Sequence, residues 1–312
     1  DLWDAMSEVS GRDIRTLMTS WLRQQGYPVI TATESDSSIH VRQNRFLSTG
    51  DPSPEEDDTL WHVPLGLKVP GADNKTLMLP GIRAMTIDNA NASIWKLNAD
   101  TMGVYRVAYE PSHLERLGRS PPGFLSVEDR IGLLDDAFAL AQAGYTKTSA
   151  ALTLTHAFRN ESSQLVLQAM AFRLEHLASV WWERPERAMI EHFQADVFGP
   201  LARQLSFEGG GHEPSDVREL RATVIAAAAA GGDACTIGEI RRRFAPLQGR
   251  NESLIHPDLV HTILTHGVKH GGKAEYETAL RMYREPRTPL HRNYALMARG
   301  STQLPALIVR PI

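Results

Sequence analysis

The residues best suited to metal chemistry are the twelve histidines of the chain. A zinc hydrolase of the H-E-x-x-H type needs two histidines four residues apart on one helix face, with a glutamate between them to polarise the metal-bound water. The one His-Glu step, His212-Glu213, is followed by Pro214 and has no second histidine. The sequence therefore predicts no zinc site of this type.

A second histidine group lies near the end of the chain and is the strongest rival metal site. It consists of His256, His261, His266 and His270. Only His266 and His270 share a helix face, and a metal site needs three or four converging ligands. We therefore expect polar helix ends and a loop here, with no metal.

The other motifs also point to structure more than to chemistry. The sequence contains no G-x-S-x-G, Walker or dinucleotide-binding fingerprint. Gly209-Gly-Gly211 has no following lysine and is expected to be a flexible connection. Paired carboxylates, Glu183/Glu186 and Asp135/Asp136, are expected on solvated helix faces. An aromatic group at helical spacing is expected in the core: Trp181, Trp182, Phe193 and Phe198. We predict no catalytic, cofactor-binding or metal-binding residue.

The composition of the chain argues against nucleic acid and membranes as partners. The 312 residues carry a net charge of -4 and are 42% hydrophobic and 22% charged, so nothing attracts nucleic acid in general. The basic run Arg241-Arg242-Arg243 is expected to be a solvated helix face. No apolar run approaches the ~20 residues that span a bilayer. The single cysteine, Cys235, excludes an internal disulfide and favours a cytoplasmic location.

The pattern of apolar residues divides the chain into three regions. Residues 1–26 have helical periodicity, with a break at Ser10-Gly11 and a stop at Gly26. Short β-prone runs separated by polar turns follow as far as residue 110 and predict a small antiparallel β-sandwich. The predicted strands are Val29–Thr33, Ile39–Arg42, Leu60–Val69, Thr76–Leu79, Ser93–Leu97 and Gly103–Tyr109.

From residue 111 onwards the pattern is helical. Ser126 precedes one periodic segment and Thr146 another, as N-terminal signals do. Further periodic segments cover 162–180, 184–206, 214–230, 236–247, 257–268, 273–284 and 288–298. Their lengths and short connections predict antiparallel helix pairs stacked as a solenoid. The fold class is therefore α+β and multidomain.

Three stretches carry a family resemblance. Residues 21–29, Trp-Leu-Arg-Gln-Gln-Gly-Tyr-Pro-Val, resemble the segment that links a catalytic domain to its β-sandwich in puromycin-sensitive-type zinc aminopeptidases of the gluzincin family. Trp95-Lys-Leu-Asn98 followed by Gly103-Val-Tyr-Arg-Val-Ala-Tyr109 is similar to the end of that sandwich. Residues 129–144 resemble the first long helix of the ERAP-type helical domain. The three stretches occur in the family order.

The resemblance implies an organisation and a function. Residues 1–26 would be the helical tail of a catalytic domain, 27–110 the β-sandwich, and 111–312 a truncated HEAT/armadillo-like domain. Zinc and the strand that holds the substrate's amino terminus belong to a part of the family that would precede residue 1. The chain would then enclose the active site and help to bind peptide. Its partners would be peptide substrate or the missing catalytic domain.

Two alternatives stay open. The chain is a free-standing binding protein that uses a concave helical surface, or an enzyme with an unrecognised site. Both ends are also expected to expose apolar residues and to be covered by self-association or a partner. Four aromatic residues are expected to pack where the regions meet: Trp21, Tyr27, Tyr105 and Tyr109.

Overall fold

The structure is a computed structural model that describes residues 1–35, 37–88, 93–209, 213–251 and 255–308. The chain divides into two compact units, Asp1–Asn160 and Glu161–Ile312. Gly210, Gly211 and His212, all considered in the sequence analysis, lie outside the described residues, as do residues 309–312. The two predicted boundaries between the three sequence regions, at residues 26/27 and 110/111, stay predictions.

The first unit combines two short helices, six strands and three further helices. The helices are α1 (Leu2–Ser10), α2 (Ile14–Leu22), α3 (Pro111–Gly118), α4 (Val127–Gln142) and α5 (Thr148–Ala157). The strands are β1 (Pro28–Ser35), β2 (Ser38–Arg45), β3 (His62–Leu67), β4 (Lys75–Pro80), β5 (Ala84–Ile87) and β6 (Arg106–Tyr109). Gly11 ends α1 in the left-handed conformation, as the Ser10-Gly11 break predicts.

The strands form a four-stranded sheet in the order β5-β2-β1-β6 and a separate β3-β4 pair. The larger sheet is mixed, because β6 runs parallel to β1 with Val29 opposite Arg106. Strand β5, with the sequence Ala84-Met-Thr-Ile87, is not among the predicted strands. The strand expected at Ser93–Leu97 is reduced to a single bridge between Lys68 and Lys96, so the segment pairs through one residue.

A buried ionic network joins β3, the segment after residue 95 and the start of α4. The Nζ of Lys96 lies 2.9 Å from Oδ1 of Asp129, and the Nζ of Lys68 lies 2.7 Å from Oδ2 of the same residue. Asp129 also closes a capping box with Ser126 at the N-terminus of α4, which confirms the predicted helix start. One carboxylate therefore caps α4 and fixes the helix to the strand region.

The residues that carry the family resemblance at 95–109 have structural roles. Asn98 accepts a hydrogen bond from the backbone N–H of Gly103 at 2.7 Å and closes the intervening loop. Tyr109 is buried, and its hydroxyl accepts from the N–H of Leu97 at 2.9 Å. Tyr105 is buried as well. These residues position elements of the fold.

Trp21, near the end of α2, and Tyr27, just before β1, are half-buried. The indole N–H of Trp21 donates to the carbonyl of His62 at 2.9 Å. The ring of Tyr27 stacks on Phe46 at 5.3 Å between centroids. Both residues contact the strand region, but neither is fully enclosed.

Asp136 of α4 corrects the expectation of a solvated carboxylate. Its side chain accepts from the backbone N–H of Val107 at 2.9 Å and pairs with Arg106 at 3.1 Å. Burial raises the pKa of Asp136 to about 6, against the opposing effects of the Val107 hydrogen bond and the Arg106 charge. The carboxylate binds the edge strand β6 to α4.

The second unit is helical in its described residues. Its helices are α6 (Gln164–Val180), α7 (Arg187–Leu205), α8 (Ser215–Ala230), α9 (Ala234–Gln248), α10 (Val260–Lys269), α11 (Lys273–Arg284), α12 (Pro289–Gly300) and α13 (Pro305–Ile308). Each helical segment predicted beyond residue 162 is present. Side-chain caps define two starts, where Asp233 accepts from the N–H of Thr236 and Thr288 from the N–H of His291.

Close helix packing in this unit depends on two glycines. A Cβ at Gly231 would lie 2.6 Å from the backbone nitrogen of Ala195, so α7 approaches the end of α8 as only glycine allows. A Cβ at Gly267 would lie 2.2 Å from the ring of Phe244, which packs α9 against α10. Gln194 of α7 donates to the carbonyl of Ala227 in α8 at 2.9 Å. These contacts fix the walls of a cavity.

Among the described residues, no single helix is long and apolar enough to cross a membrane, and α8 with α9 meets that test only as a pair bent by 110°.

Candidate functional site

The second unit contains a cavity of about 740 Å³ bounded by α6, α7, α8, α10 and the segment after α12. We call it the helical cavity. Its volume is in the range of small-molecule and peptide pockets. Its walls carry the residues Glu175, Ala178, Ser179, Trp182, Arg187, Glu191, Gln194, Ala226, Ala230, His261, Thr262, Thr265, His266, Lys269, Ser301 and Gln303.

Helix α10 supplies the polar wall. His261, Thr265 and Lys269 recur every four residues, so they share one helix face, with His266 beside them. The apolar residues Ile263, Leu264 and Val268 are buried on the other side of the helix. An amphipathic helix thus turns its polar face towards the cavity.

The histidines of this wall are neutral at physiological pH. Burial lowers the pKa of His266 to about 3, and the nearby charge of Lys269 lowers it further. Burial also lowers the pKa of His261. Neutral imidazoles offer one donor and one acceptor nitrogen and add no charge.

Several polar atoms of this wall have no hydrogen-bond partner in the described structure. They are Nε2 of His261, Oγ1 of Thr265 and Nδ1 of His266, and each atom is buried. The His266 side chain is only 9% exposed. Buried polar groups are normally hydrogen-bonded, so these atoms indicate a place where a ligand or water completes the bonding.

The opposite wall carries charge. Arg187 and Glu191 of α7 form an ion pair at 2.9 Å. Glu175 of α6 has no hydrogen bond or ion pair among the described residues. Enclosure in the cavity raises the pKa of Glu175, while the positive charge of Lys269 opposes that shift. An unpaired acid and an unpaired base, Glu175 and Lys269, therefore face the same space.

Trp182 corrects the expectation that the aromatic group is core. Its side chain is 65% exposed and lies on the cavity wall, whereas Phe198 is fully buried as predicted. The tryptophan follows the last residues of α6 and is not covered by a neighbouring helix. It gives the cavity an apolar, aromatic surface.

The four histidines of the rival metal site do not converge. His266 and His270 stack with ring centroids 6.1 Å apart, His261 packs against Tyr294, and His256 caps the turn that begins at Pro257. In the described ranges, no group of three or more histidine, cysteine or acidic side chains could hold a metal ion. These residues do not fit zinc, which needs three or four ligands.

A second cavity, of about 830 Å³, lies in the first unit beside β1, β6 and α5. Its polar groups are better satisfied. The hydroxyl of Tyr145, for example, accepts from the N–H of Leu47 and donates to the carbonyl of Gly50. None of the unpartnered buried atoms found in the described residues belongs to its walls. We therefore consider the helical cavity the stronger candidate.

Sequence reasoning considered two of the cavity's histidines only as metal ligands and did not identify the cavity. The available signal was the polar repeat His261, Thr265, Lys269 in a helix that also carries the apolar residues Ile263, Leu264 and Val268. Glu175 and Trp182 belong to other helices, so their proximity to α10 could not be inferred from spacing. The basic run behaves partly as expected, since Arg242 is exposed while Arg243 is mostly covered and pairs with Glu239.

Comparison with known proteins gives consistent matches. Residues 95–310 match the family model of the ERAP1-like C-terminal domain. Aminopeptidase 2 of Candida albicans is 31% identical over 99% of this chain and 34% of its own length. The mitochondrial aminopeptidase 2 of Saccharomyces cerevisiae is 31% identical over 100% of this chain and 33% of its own length. Aminopeptidase M1 of Arabidopsis thaliana is 31% identical over 91% of this chain and 35% of its own length. The chain spans about a third of the length of the curated relatives it matches.

Proposed function

Because the chain belongs to the ERAP1-like C-terminal domain family, we propose that it is an accessory C-terminal module of a zinc aminopeptidase and that it binds peptide substrate. In this role it helps to enclose the active site and carries no zinc itself. Relatives with aminopeptidase names align along almost the whole chain. The sequence has no H-E-x-x-H motif, so hydrolysis would depend on another polypeptide region.

The observation that carries the binding proposal is the helical cavity, with its unpartnered polar atoms on α10. A peptide main chain presents alternating N–H donors and carbonyl acceptors. Such groups complement a hydroxyl and neutral imidazole nitrogens, which accept and donate without requiring a particular side chain. Trp182 adds a surface on which an apolar or aromatic peptide side chain can pack.

A binding experiment with matched variants tests this proposal. Fluorescence anisotropy of a labelled decapeptide should show saturable binding to the purified chain. Trp182→Ala should weaken binding at least tenfold, equivalent to about 1.4 kcal/mol. Phe172→Ala should leave it unchanged, because Phe172 is similarly exposed at 61% but is not a wall residue of the cavity.

Equal affinities of the two variants would place binding elsewhere, and no binding at all would contradict a peptide-binding role. Turnover of the decapeptide by the purified chain, retained through several columns, would instead favour an enzyme with an unrecognised site. The cytoplasmic location inferred from the single cysteine stays a prediction. So does coverage of the exposed apolar residues of α1 by self-association or a partner.

A further inference from the structure

We propose that the helical cavity binds a small zwitterion, such as a short peptide with both termini free, with the ammonium group at Glu175 and the carboxylate at Lys269. This inference rests on the proposed peptide-binding function and specifies the ligand of the same cavity. It follows from the charges on the cavity walls and from the polar groups between them.

Two charged side chains of the cavity wall have no ion-pair partner. Four of its wall residues are glutamate, arginine or lysine: Glu175, Arg187, Glu191 and Lys269. Arg187 and Glu191 neutralise each other in their ion pair at 2.9 Å. Glu175 and Lys269 have no hydrogen bond or ion pair with any described residue, nor with one another. One negative and one positive group are therefore left for a ligand.

Glu175 and Lys269 interact electrostatically across the cavity. Enclosure raises the pKa of Glu175, and the charge of Lys269 is the one influence that counteracts it. Partly desolvated charges gain most from a partner at contact distance, because the surrounding water screens them less. A ligand with only a cation would leave Lys269 unpaired, and a ligand with only an anion would leave Glu175 unpaired. A zwitterion satisfies both.

Neutral polar groups complete the arrangement. His261, Thr265 and His266 have unpartnered buried atoms on α10, the helix that also bears Lys269. They can bond the amide of a short peptide without disturbing the charge balance, since burial keeps both histidines neutral. The exposed ring of Trp182 is available to a side chain. A volume of about 740 Å³ accommodates a ligand of this size.

Isothermal titration calorimetry with four forms of alanyl-leucine tests the inference. The free dipeptide should bind, and N-acetylation or C-terminal amidation should each weaken binding at least tenfold. The doubly blocked form should bind weakest. Free alanine, titrated in the same way, distinguishes an amino-acid site from a dipeptide site, because it has both charges but no amide for the α10 groups.

Two variants test which wall residue binds each terminus of the dipeptide. Glu175→Gln should abolish the difference between free and N-acetylated dipeptide, and Lys269→Met should abolish the difference between free and amidated dipeptide. Glu183→Gln and Lys273→Met are matched controls, because both residues are exposed and lie outside the cavity walls. Both controls should keep the full pattern.

Equal binding of all four forms, or no binding of the free dipeptide, would overturn the inference. If the labelled decapeptide still binds in a Trp182-dependent manner in either case, the zwitterion inference fails alone and the peptide-binding function stands. If neither ligand binds, both fail. Preference for the free dipeptide that persists unchanged in Glu175→Gln and Lys269→Met would show that the charges act elsewhere.

Discussion

Replacing Asp129 by alanine is expected to destabilise the first unit strongly, because this one carboxylate serves both the ionic network and the cap of α4. The Asp129 side chain is fully buried, and the Lys96 side chain is 3% exposed. The substitution leaves Lys96 enclosed without its counter-ion and deprives Lys68 of one of its two acidic partners, the other being Asp100. It also removes the reciprocal hydrogen bonds with Ser126.

The magnitude follows from these losses. Breaking a buried ion pair by removing one partner costs about 3–5 kcal/mol, and losing an N-terminal cap costs roughly 0.5–2 kcal/mol. The two losses overlap in one side chain, so we expect about 4 kcal/mol in the free energy of unfolding. Glu128→Ala is the matched control. Glu128 is an exposed acid in the same helical turn and should cost less than about 1 kcal/mol.

Urea unfolding monitored by hydrogen exchange and mass spectrometry can localise the loss of stability to peptides from the first unit. The effect should also depend on pH. Burial alone would raise the pKa of Asp129, but the charge of Lys96 and hydrogen bonds from both lysines hold it below its usual value. A lowered carboxyl pKa gives stability that is full above the unfolded value of 3.8 and disappears as the pH falls through the folded value.

The difference between Asp129→Ala and Glu128→Ala should therefore be large at neutral pH and shrink in acid. Equal unfolding midpoints for the two variants at pH 7 would refute the network as described. A difference independent of pH would show that the lost contacts are not ionic.

Four further outcomes are expected. Trp21→Ala should cost about 2 kcal/mol in thermal unfolding, less than the 3–5 kcal/mol typical of a fully buried aromatic, since Trp21 is half-buried and keeps one hydrogen bond; an unchanged midpoint would contradict its packing. Gly231→Ala should lower the free energy of unfolding by roughly 1–3 kcal/mol through overpacking. Gly238→Ala, with open space around its Cβ, should raise it by about 0.5–1 kcal/mol. Equal effects of the two substitutions would contradict the close contact of α7 and α8. The pKa of His266 is lowered to about 3, so below about pH 6.5 the unfolded chain binds a proton that the folded chain does not bind. The second unit should therefore lose stability as the pH falls from 7 to 5, and His266→Gln should reduce this pH dependence. An unaltered pH dependence in His266→Gln would show that His266 is protonated in the folded chain. The purified chain should bind no stoichiometric zinc and should not hydrolyse aminoacyl chromogenic substrates, because it has no H-E-x-x-H motif; chelator-sensitive activity that co-purifies would refute this.

Sequence reasoning located the helices of the second unit well because each has strong periodicity and clear boundary signals, such as Asp233 before α9 and Thr288 before α12. It was weaker in the β-region. Strand β5 was not predicted because Ala84-Met-Thr-Ile87 lacks regular apolar–polar alternation. The parallel pairing of β6 with β1 depends on a long-range contact.

The candidate site was harder to predict because its residues come from different helices. Helical spacing places Trp182 at the end of a helix but cannot say whether another helix covers it. In the same way, Asp136 has the sequence context of a solvated carboxylate, and only the packing of β6 beside α4 explains its burial. Local patterns specify elements, whereas cavities and buried ion pairs depend on how the elements meet.

The most direct test of the central claim is photo-crosslinking of a decapeptide that carries a benzophenone group, with the labelled residues mapped by mass spectrometry. If this chain is a peptide-binding module, the crosslinks should fall on the helical cavity, in the segments that contain Trp182, His261 and Gln303. An excess of unlabelled decapeptide should compete them away, and the recovered peptide should be intact. Crosslinks spread over both units without competition, or confined to surfaces outside the cavity, would contradict the claim.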